Sequence, residues 1–358
     1  MHHTMVIAEI GVNHNGNLET ARDLVTAARD AGADFVKTQT FDPALLATRA
    51  ASMAPYQERN GAVGASQREM LEAYRLSTEE TASLVEFAES LGVGFLSTPF
   101  DVASLTTLTE ELGLTTIKLS SGDLTNGPLL LATARAADSV IVSTGMSTMA
   151  EVQEALEVLA YGFTSEASAV PSRDGLAQVW SDGAARATLD RRVSLLHCVS
   201  AYPAPVGEVN LRAMDSMRAE FGLPVGFSDH TTGTTISLAA VARGATIIEK
   251  HLTLDSSQSG PDHAASIEPR EFEQMVVGIR AIEAALGDGF KVPMPSETQA
   301  LRDGRRSVRA SRRIGQGQMI HEDDLVVLRP ADGLSPMRLW ELLDRPAGRD
   351  FEPEQCIE

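Results

Sequence analysis

The chain has 358 residues, 43% hydrophobic and 22% charged, with 30 Lys and Arg against 49 Asp and Glu and a net charge of −19. That composition belongs to a core-forming chain of two domains, or of one large barrel with an appendage. It argues against a nucleic-acid binder, which needs a cationic footprint, and no run of about 18 apolar residues offers a membrane span.

The first residues, Met1–Ile10, lack a basic stretch followed by an apolar one, so no signal peptide is expected and a cytoplasmic enzyme is the default. His2 and His3 read as solvated terminal residues, and Cys198 and Cys356, in different predicted domains, give no disulfide framework. Eight short apolar runs then recur: Val6–Ile10, Phe35–Thr40, Val93–Ser97, Thr116–Ser120, Val140–Ser143, Val193–Cys198, Pro224–Phe227 and Thr246–Glu249. Their length and β-branched content predict buried strands. Amphipathic stretches lie between them. They are Leu18–Ala31, Thr78–Leu91, Val102–Leu112, Leu129–Ala137, Met149–Leu159, Val209–Phe221, Thr235–Ala242 and Arg270–Leu286. Ser77 with Glu80 forms a capping-box pattern, and Gly32, Gly92 and Gly113 stand where helices should stop.

Eight strand-then-helix units predict a (β/α)₈ TIM barrel. The alternative is an open doubly wound sheet, which would carry a glycine fingerprint after its first strand. Here that loop reads Gly11-Val12-Asn13-His14-Asn15-Gly16 and does not match. His14 in it reads as a loop shaper. Two connections are long, Phe41–Leu76 and Tyr161–Arg192, the second read as a helical surface insertion. The expected organisation is a catalytic barrel over 1–288, a linker over 289–299 and a small β-rich domain over 300–358. That domain carries an internal echo, Ile314–Ile320 and Phe351–Ile357, and a basic run of Arg302, Arg305, Arg306, Arg309, Arg312 and Arg313. The run reads either as a solvated face or as a surface docked on the acidic barrel.

Barrel enzymes work at the C-terminal ends of their strands. The residues there are polar on every strand, from Glu9, Lys37 and Gln39 through Thr98, Lys118, Ser121 and Ser143 to Ser228, His230 and His251. Lysines inside apolar runs are costly unless they meet an anion. Lys37 and Lys118 therefore pair with an internal acid such as Glu9, or they clamp a phosphate and a carboxylate. His230 and His251 follow neighbouring strands and can chelate a divalent ion, with Glu9 completing the set directly or through water, or they are plain strand-end residues. Asp229 is a partner for His230 or a cap. Cys198 reads as a core residue.

At these residues the sequence resembles the sialic acid synthase family. The matching pieces include Ile7-Ala8-Glu9-Ile10-Gly11-Val12-Asn13-His14-Asn15-Gly16, Val36-Lys37-Thr38-Gln39-Thr40, Ser97-Thr98-Pro99-Phe100, Ser143-Thr144-Gly145-Met146, Ser228-Asp229-His230-Thr231, Glu249-Lys250-His251 and Gly260-Pro261-Asp262, in family order. The resemblance implies a barrel followed by an antifreeze-like (SAF) domain, in a domain-swapped homodimer. It implies Mn²⁺, or Mg²⁺ or Co²⁺, on His230 and His251. It implies phosphoenolpyruvate contacts from Lys37, Thr98, Lys118, Ser121, Ser143 and Ser200. Contacts to an N-acylated hexosamine would come from Gln39, Asp123, Tyr202 and Asp262, with Phe100 and Ser228 as further substrate-binding residues and Arg329 reaching the acyl group across the dimer. Glu9 would be the catalytic carboxylate, alongside Lys37 and Lys118. Asp123 stands where many members have Glu, and Ser200 where some have Asn. The implied reaction makes N-acetylneuraminate from phosphoenolpyruvate and N-acetylmannosamine. The alternative is N,N'-diacetyllegionaminate from 2,4-diacetamido-2,4,6-trideoxymannose. A non-catalytic carbohydrate- or ice-binding protein and a metal-dependent hydrolase are the readings from other classes.

Overall fold

The apolar runs form eight parallel strands: β1 (Met5–Gly11), β2 (Phe35–Thr40), β3 (Gly94–Pro99), β4 (Thr116–Leu119), β5 (Ser139–Ser143), β6 (Val193–Cys198), β7 (Val225–Asp229) and β8 (Ile247–His251). The computed structural model describes residues 3–357, and the reading of His2 lies outside the described residues. The strands are hydrogen-bonded in the order β3-β2-β1-β8-β7-β6-β5-β4. β3 and β4 pack side by side and bring the two ends of the sheet together. With helices outside, this is the expected (β/α)₈ barrel. Three strands start one residue later and end two residues later than expected. Pairing depends on backbone amides and carbonyls, so it continues past the apolar run into polar residues. Asp229 and His251 are thus strand residues.

Successive strand side chains point to opposite faces, and here the alternation sorts two chemistries. Outward residues such as Val6, Ile117, Val140 and Phe227 join the helices in the main core. Inward residues Ile7, Leu96, Ile141, Leu196 and Ile247 form a separate apolar cluster that fills the barrel floor. Two residues further along the same strands, on the same face, stand Glu9, Thr98, Ser143, Cys198 and Glu249.

The helices begin with α1 (Leu18–Asp30), where Asn17 accepts the amide of Thr20 and Ala21, Leu24, Val25 and Ala28 are buried. The connection after β2 folds into three short helices, α2 (Pro43–Leu46), α3 (Pro55–Arg59) and α4 (Gln67–Tyr74). α5 (Thr78–Ser90) carries the expected capping box of Ser77 and Glu80. The helix expected over 102–112 is α6 (Val102–Thr106) running into a π turn at Thr107–Glu111. Next come α7 (Gly127–Ala136) and α8 (Met149–Thr164), and the second long connection adds α9 (Arg173–Ser181) and α10 (Gly183–Arg192). α11 (Ala213–Phe221) starts four residues later than expected, behind a 3₁₀ turn at Val206–Glu208, and α12 (Thr235–Ala242) and α13 (Pro269–Leu286) complete the barrel.

The chain divides into two compact units, Met1–Gly287 and Asp288–Glu358. The second contains α14 (Thr298–Gly304) and an antiparallel pair, β9 (Ser307–Ala310) with β10 (Leu325–Leu328), over a core of Ala310, Ile314, Ile320, Ala347, Phe351 and Ile357. Its echoing segments pair with each other: Ile314 and Phe351 exchange both backbone hydrogen bonds at 2.9 Å. Arg309, Arg312 and Arg313 pair with Asp332, Asp324 and Glu352 of the same unit, which occupies half of the basic run locally.

Asp229 and Lys250 are the acid–base pair on the mostly apolar outer face. They are register partners on β7 and β8, fully buried, with Lys250 Nζ 3.1 Å from Asp229 Oδ2. Asp229 also accepts from the backbone and hydroxyl of Thr231 and from the hydroxyl of Ser237. It therefore points away from His230, and the pair locks the two strands that carry the histidines. Removing one partner would leave a buried charge uncompensated. Lys250→Met is expected to lower the unfolding free energy by about 3–5 kcal/mol, and urea denaturation measures it.

Candidate active site

The polar inward layer opens at the C-terminal ends of the strands into a cavity of ≈ 350 Å³. Its lining includes Glu9 of β1, Lys37 and Gln39 of β2, Thr98 and Phe100 at β3, Lys118 and Ser121 at β4, and Ser143 of β5. Ser200, Tyr202, Ser228, His230, His251 and Asp262 complete the expected group. Residues spread over 254 positions of sequence (Glu9 to Asp262, 262 − 9 + 1) meet because each stands near the C-terminal end of a strand or in the loop that follows it.

Two buried lysines and two buried carboxylates occupy the cavity's base. Lys37 Nζ contacts Glu9 and donates to Thr98 Oγ1 at 3.2 Å, while Gln39 Nε2 donates to Glu9 Oε1 at 3.0 Å. Lys118 Nζ lies 3.7 Å from Glu249 Oε2, and Ser228 Oγ donates to Glu249 Oε1 at 2.9 Å. The pairing of Lys37 with Glu9 is thus present, and both groups still face the cavity. Burial pushes the Glu9 carboxyl up; Lys37 opposes this and Glu249 adds to it. Burial pushes the Lys37 ammonium down, but Glu249 and Glu9 outweigh it and hold it above the usual lysine value. For Lys118 burial wins and the ammonium is pushed down. Glu249 is held at about 2: burial pushes it up, and Lys118 and Lys37 pull it down further.

Next to this base, Ser121 Oγ accepts the Gly145 amide at 3.0 Å and lies 3.1 Å from Cys198 Sγ. A Cβ at position 145 would collide with the Ser200 hydroxyl and crowd the Ser121 hydroxyl and the Cys198 thiol. The glycine therefore leaves hydroxyls and amides free to gather round a small anion. Cys198 is buried, its thiol pushed up by burial, as suits a core residue.

His230 and His251 stand with ring centroids 5.5 Å apart, and Tyr202 stacks on His230 at 4.2 Å. The Val199 carbonyl lies 2.7 Å from His230 Nδ1 and can only accept, so Nδ1 carries the proton and Nε2 keeps its lone pair. His251 Nδ1 is buried without a hydrogen bond, 3.8 Å from Asp262 Oδ2. Burial holds both imidazoles neutral by pushing their pKa down. Two neutral imidazoles, one with an orphaned nitrogen, suit a divalent cation whose other positions are open. Glu9 does not join the two histidines directly, since its carboxylate is turned to Lys37 and Gln39. Among the described residues no three His, Cys, Asp or Glu side chains are grouped to hold an ion.

Two expected residues lie outside the cavity's lining. Asp123 is buried, and its carboxylate accepts from Ser120 Oγ at 2.6 Å and Asn126 Nδ2 at 3.1 Å, so it braces the turn after β4. Arg329 is exposed after β10 in the second unit. Conversely, Glu249 had been given no role, although its place two residues before His251 on one strand face was the signal for it. The 41–76 connection also contributes Leu46, Gln57, Gln67, Met70, Leu71 and Tyr74, which no motif marks.

A family model described as the NeuB family matches residues 24–291. The chain belongs to that family, that of the sialic acid synthases. It is an enzyme, a carbon–carbon bond-forming transferase for nonulosonic acids. It is 42% identical over 357 residues to an N,N'-diacetyllegionaminic acid synthase of Campylobacter jejuni, covering 100% of this chain and 99% of the relative. To the human N-acetylneuraminate-9-phosphate synthase it is 31% identical, covering 99% and 92%. The crystal structure of an N-acetylneuraminic acid synthetase from Leptospira borgpetersenii, in complex with citrate, superposes with a TM-score of 0.66 at 30% identity, covering 83% of this chain and 90% of that one.

His14 shapes the loop that carries Val12 into the cavity. It is buried, its Nδ1 accepts the Gly16 amide at 3.1 Å, and burial lowers its pKa to about 4. An unfolded histidine titrates near 6.5, so below that pH the unfolded chain binds the extra proton first. The stability linked to neutral His14 is therefore present above pH 6.5 and is lost as pH falls toward 4. His14→Gln is expected to make this acid limb shallower by up to about 1.4 kcal/mol per pH unit, and unfolding curves between pH 7 and 4 measure it.

Proposed function

We propose that this enzyme condenses phosphoenolpyruvate with the open-chain form of an acylated aminosugar, releasing phosphate. The observation that carries the reading is the convergence of Lys37, Lys118, His230 and His251 on one cavity mouth. In that reading Lys37, Lys118 and the hydroxyls of Thr98, Ser121, Ser143 and Ser200 hold the phosphate and carboxylate. They orient C3 of the enol toward the aldehyde carbon. A carbon–carbon bond forms there and the aldehyde oxygen takes up a proton. Water then adds at C2, the C2–O bond to phosphorus-bearing oxygen breaks, and phosphate leaves. Glu9, raised by burial and adjustable through Lys37, orients that water and takes its proton at the carboxylate. A divalent ion, Mn²⁺ by family resemblance, would be held by His230 and His251 and would supply Lewis-acid polarisation of the aldehyde.

For the sugar we favour 2,4-diacetamido-2,4,6-trideoxymannose, giving N,N'-diacetyllegionaminate. The end-to-end likeness to the Campylobacter enzyme supports it over N-acetylmannosamine, which the sequence motifs alone put first. N-acetylmannosamine is the second reading, favoured by the likeness to the sialic acid enzymes. The resemblance also extends the proposal to a homodimer whose Arg329 serves the sugar's acyl group, and to a cytoplasmic setting. For the described residues, no helix is long and apolar enough to cross a membrane.

A phosphate-release assay with Mn²⁺, phosphoenolpyruvate and a panel of acylated sugars tests the reading. Phosphate should appear only with an acylated aldose present; none with any sugar would end the proposal. Lys118→Ala should raise the KM for phosphoenolpyruvate tenfold or more, by about the loss of one charge-assisted contact, and an unchanged KM would count against the clamp. His230→Ala should lose both bound metal and rate; metal retained at wild-type content would contradict the ligand assignment.

A further inference from the structure

The cavity has a second side that the condensation chemistry does not use. Val12, Leu46, Met70, Leu71 and Phe100 line it, with the ring of Tyr74 beside them. Most of these residues belong to a small apolar cluster with Phe41 and Ala47 that is separate from the main core. The short helices α2 and α4 build that cluster, packing onto the β1–α1 loop and the end of β3. The cluster gives this face a fixed shape: Met70 is 3% exposed and Leu71 8%.

The aldehyde carbon of the sugar must stand beside the enol, on the side of the lysines and serines. The far end of the sugar chain is then left facing what lines the rest of the cavity. N-acetylmannosamine carries hydroxyls at C4 and C6. Against an apolar surface those groups lose water and gain no partner. A 6-deoxy sugar with a second acylamino group presents methyls there. The amide of Gln67 also lines the cavity. An amide side chain can both donate to and accept from an acylamino group.

We infer that Val12, Leu46, Met70, Leu71 and Phe100 form the specificity wall of the sugar site, selecting aldoses whose far end carries methyl in place of hydroxyl. The inference rests on the proposed condensation and names the feature that chooses its sugar. Methionine at the centre of the wall fits, because an unbranched thioether adapts to a methyl group's outline.

The test compares kcat/KM for two sugars that differ by one oxygen, N-acetylmannosamine and 2-acetamido-2,6-dideoxymannose, with the diacetamido-trideoxy sugar as a third. The wild-type enzyme should prefer the deoxy member of the pair by about 10- to 100-fold, the range an apolar pocket achieves against an added hydroxyl. Met70→Gln and the half-buried Leu46→Gln should each reduce that preference by about tenfold, while Met70→Leu, which keeps the wall apolar, retains it. Circular dichroism checks that each variant is folded, and Leu46→Gln gives a readout if Met70→Gln is not. Equal turnover of the pair by wild type, or an unchanged preference in a folded Gln variant, overturns the wall alone. Absence of phosphate release with every sugar overturns the condensation and the wall together.

Discussion

Four charges in the barrel's throat set the terms for everything above them. Lys37 touches Glu9 and Lys118 faces Glu249, and all four side chains are 5% exposed or less. Buried ion pairs seldom stabilise a protein relative to apolar groups of the same size. One layer down, the same strands show what stability alone would choose: Ile7, Leu96, Ile141, Leu196 and Ile247. The chain accepts charged pairs only where the barrel opens. The pairs balance in the free protein, two cations against two anions. An anion that binds the lysines competes with Glu9 for Lys37. Since Lys37 is what opposes the upward push of burial on Glu9, its diversion leaves that carboxyl readier to take a proton. Occupation of the lysines by an anion and the protonation of Glu9 are thereby linked through one lysine.

Strand alternation explains how this arrangement is held still. On β8, Ile247, Glu249 and His251 face the interior while Lys250 faces outward. On β7, Ser228 faces inward to Glu249, and Asp229 faces outward to Lys250. The outward pair has no access to the cavity and serves the fold. The inward residues, their immediate neighbours in sequence, line the cavity. A one-residue slip between β7 and β8 would exchange the two sets. The closed pairing of Asp229 with Lys250, Thr231 and Ser237 makes such a slip costly.

Much of this was legible in the sequence, for a physical reason. Eight β-branched runs between helix-period stretches leave few foldings other than a barrel. Lysine within Val36-Lys37-Thr38 or Ile117-Lys118-Leu119 makes sense only where an anion waits. The rest also has causes. Asp123 enters the sugar set only through the family resemblance, and a carboxylate three residues after Ser120 and three before Asn126 is placed to tie its own turn, as it does. Glu249 was overlooked because the apolar run before it ends there, hiding that the strand continues to His251. In sequence Met70, Leu71 and Tyr74 lie in a long connection, and in the fold they form the buried face of α4. That the face turns toward the barrel mouth is decided by packing against Val12 and Phe41, which lie far away along the chain.

That division follows from what each part must do. Groups that hold reacting atoms need fixed positions, and the strands of a hydrogen-bonded ladder supply them. Groups that choose among sugars need only present the right surface, and short helices within a connection can change without disturbing the ladder. The 41–76 connection satisfies both conditions at once, because its apolar residues are anchored in a cluster of their own rather than in the main core. A substitution in that cluster therefore alters the wall while leaving the floor, the charged throat and the histidine strands intact. Selectivity in this enzyme can drift while its chemistry stays in place.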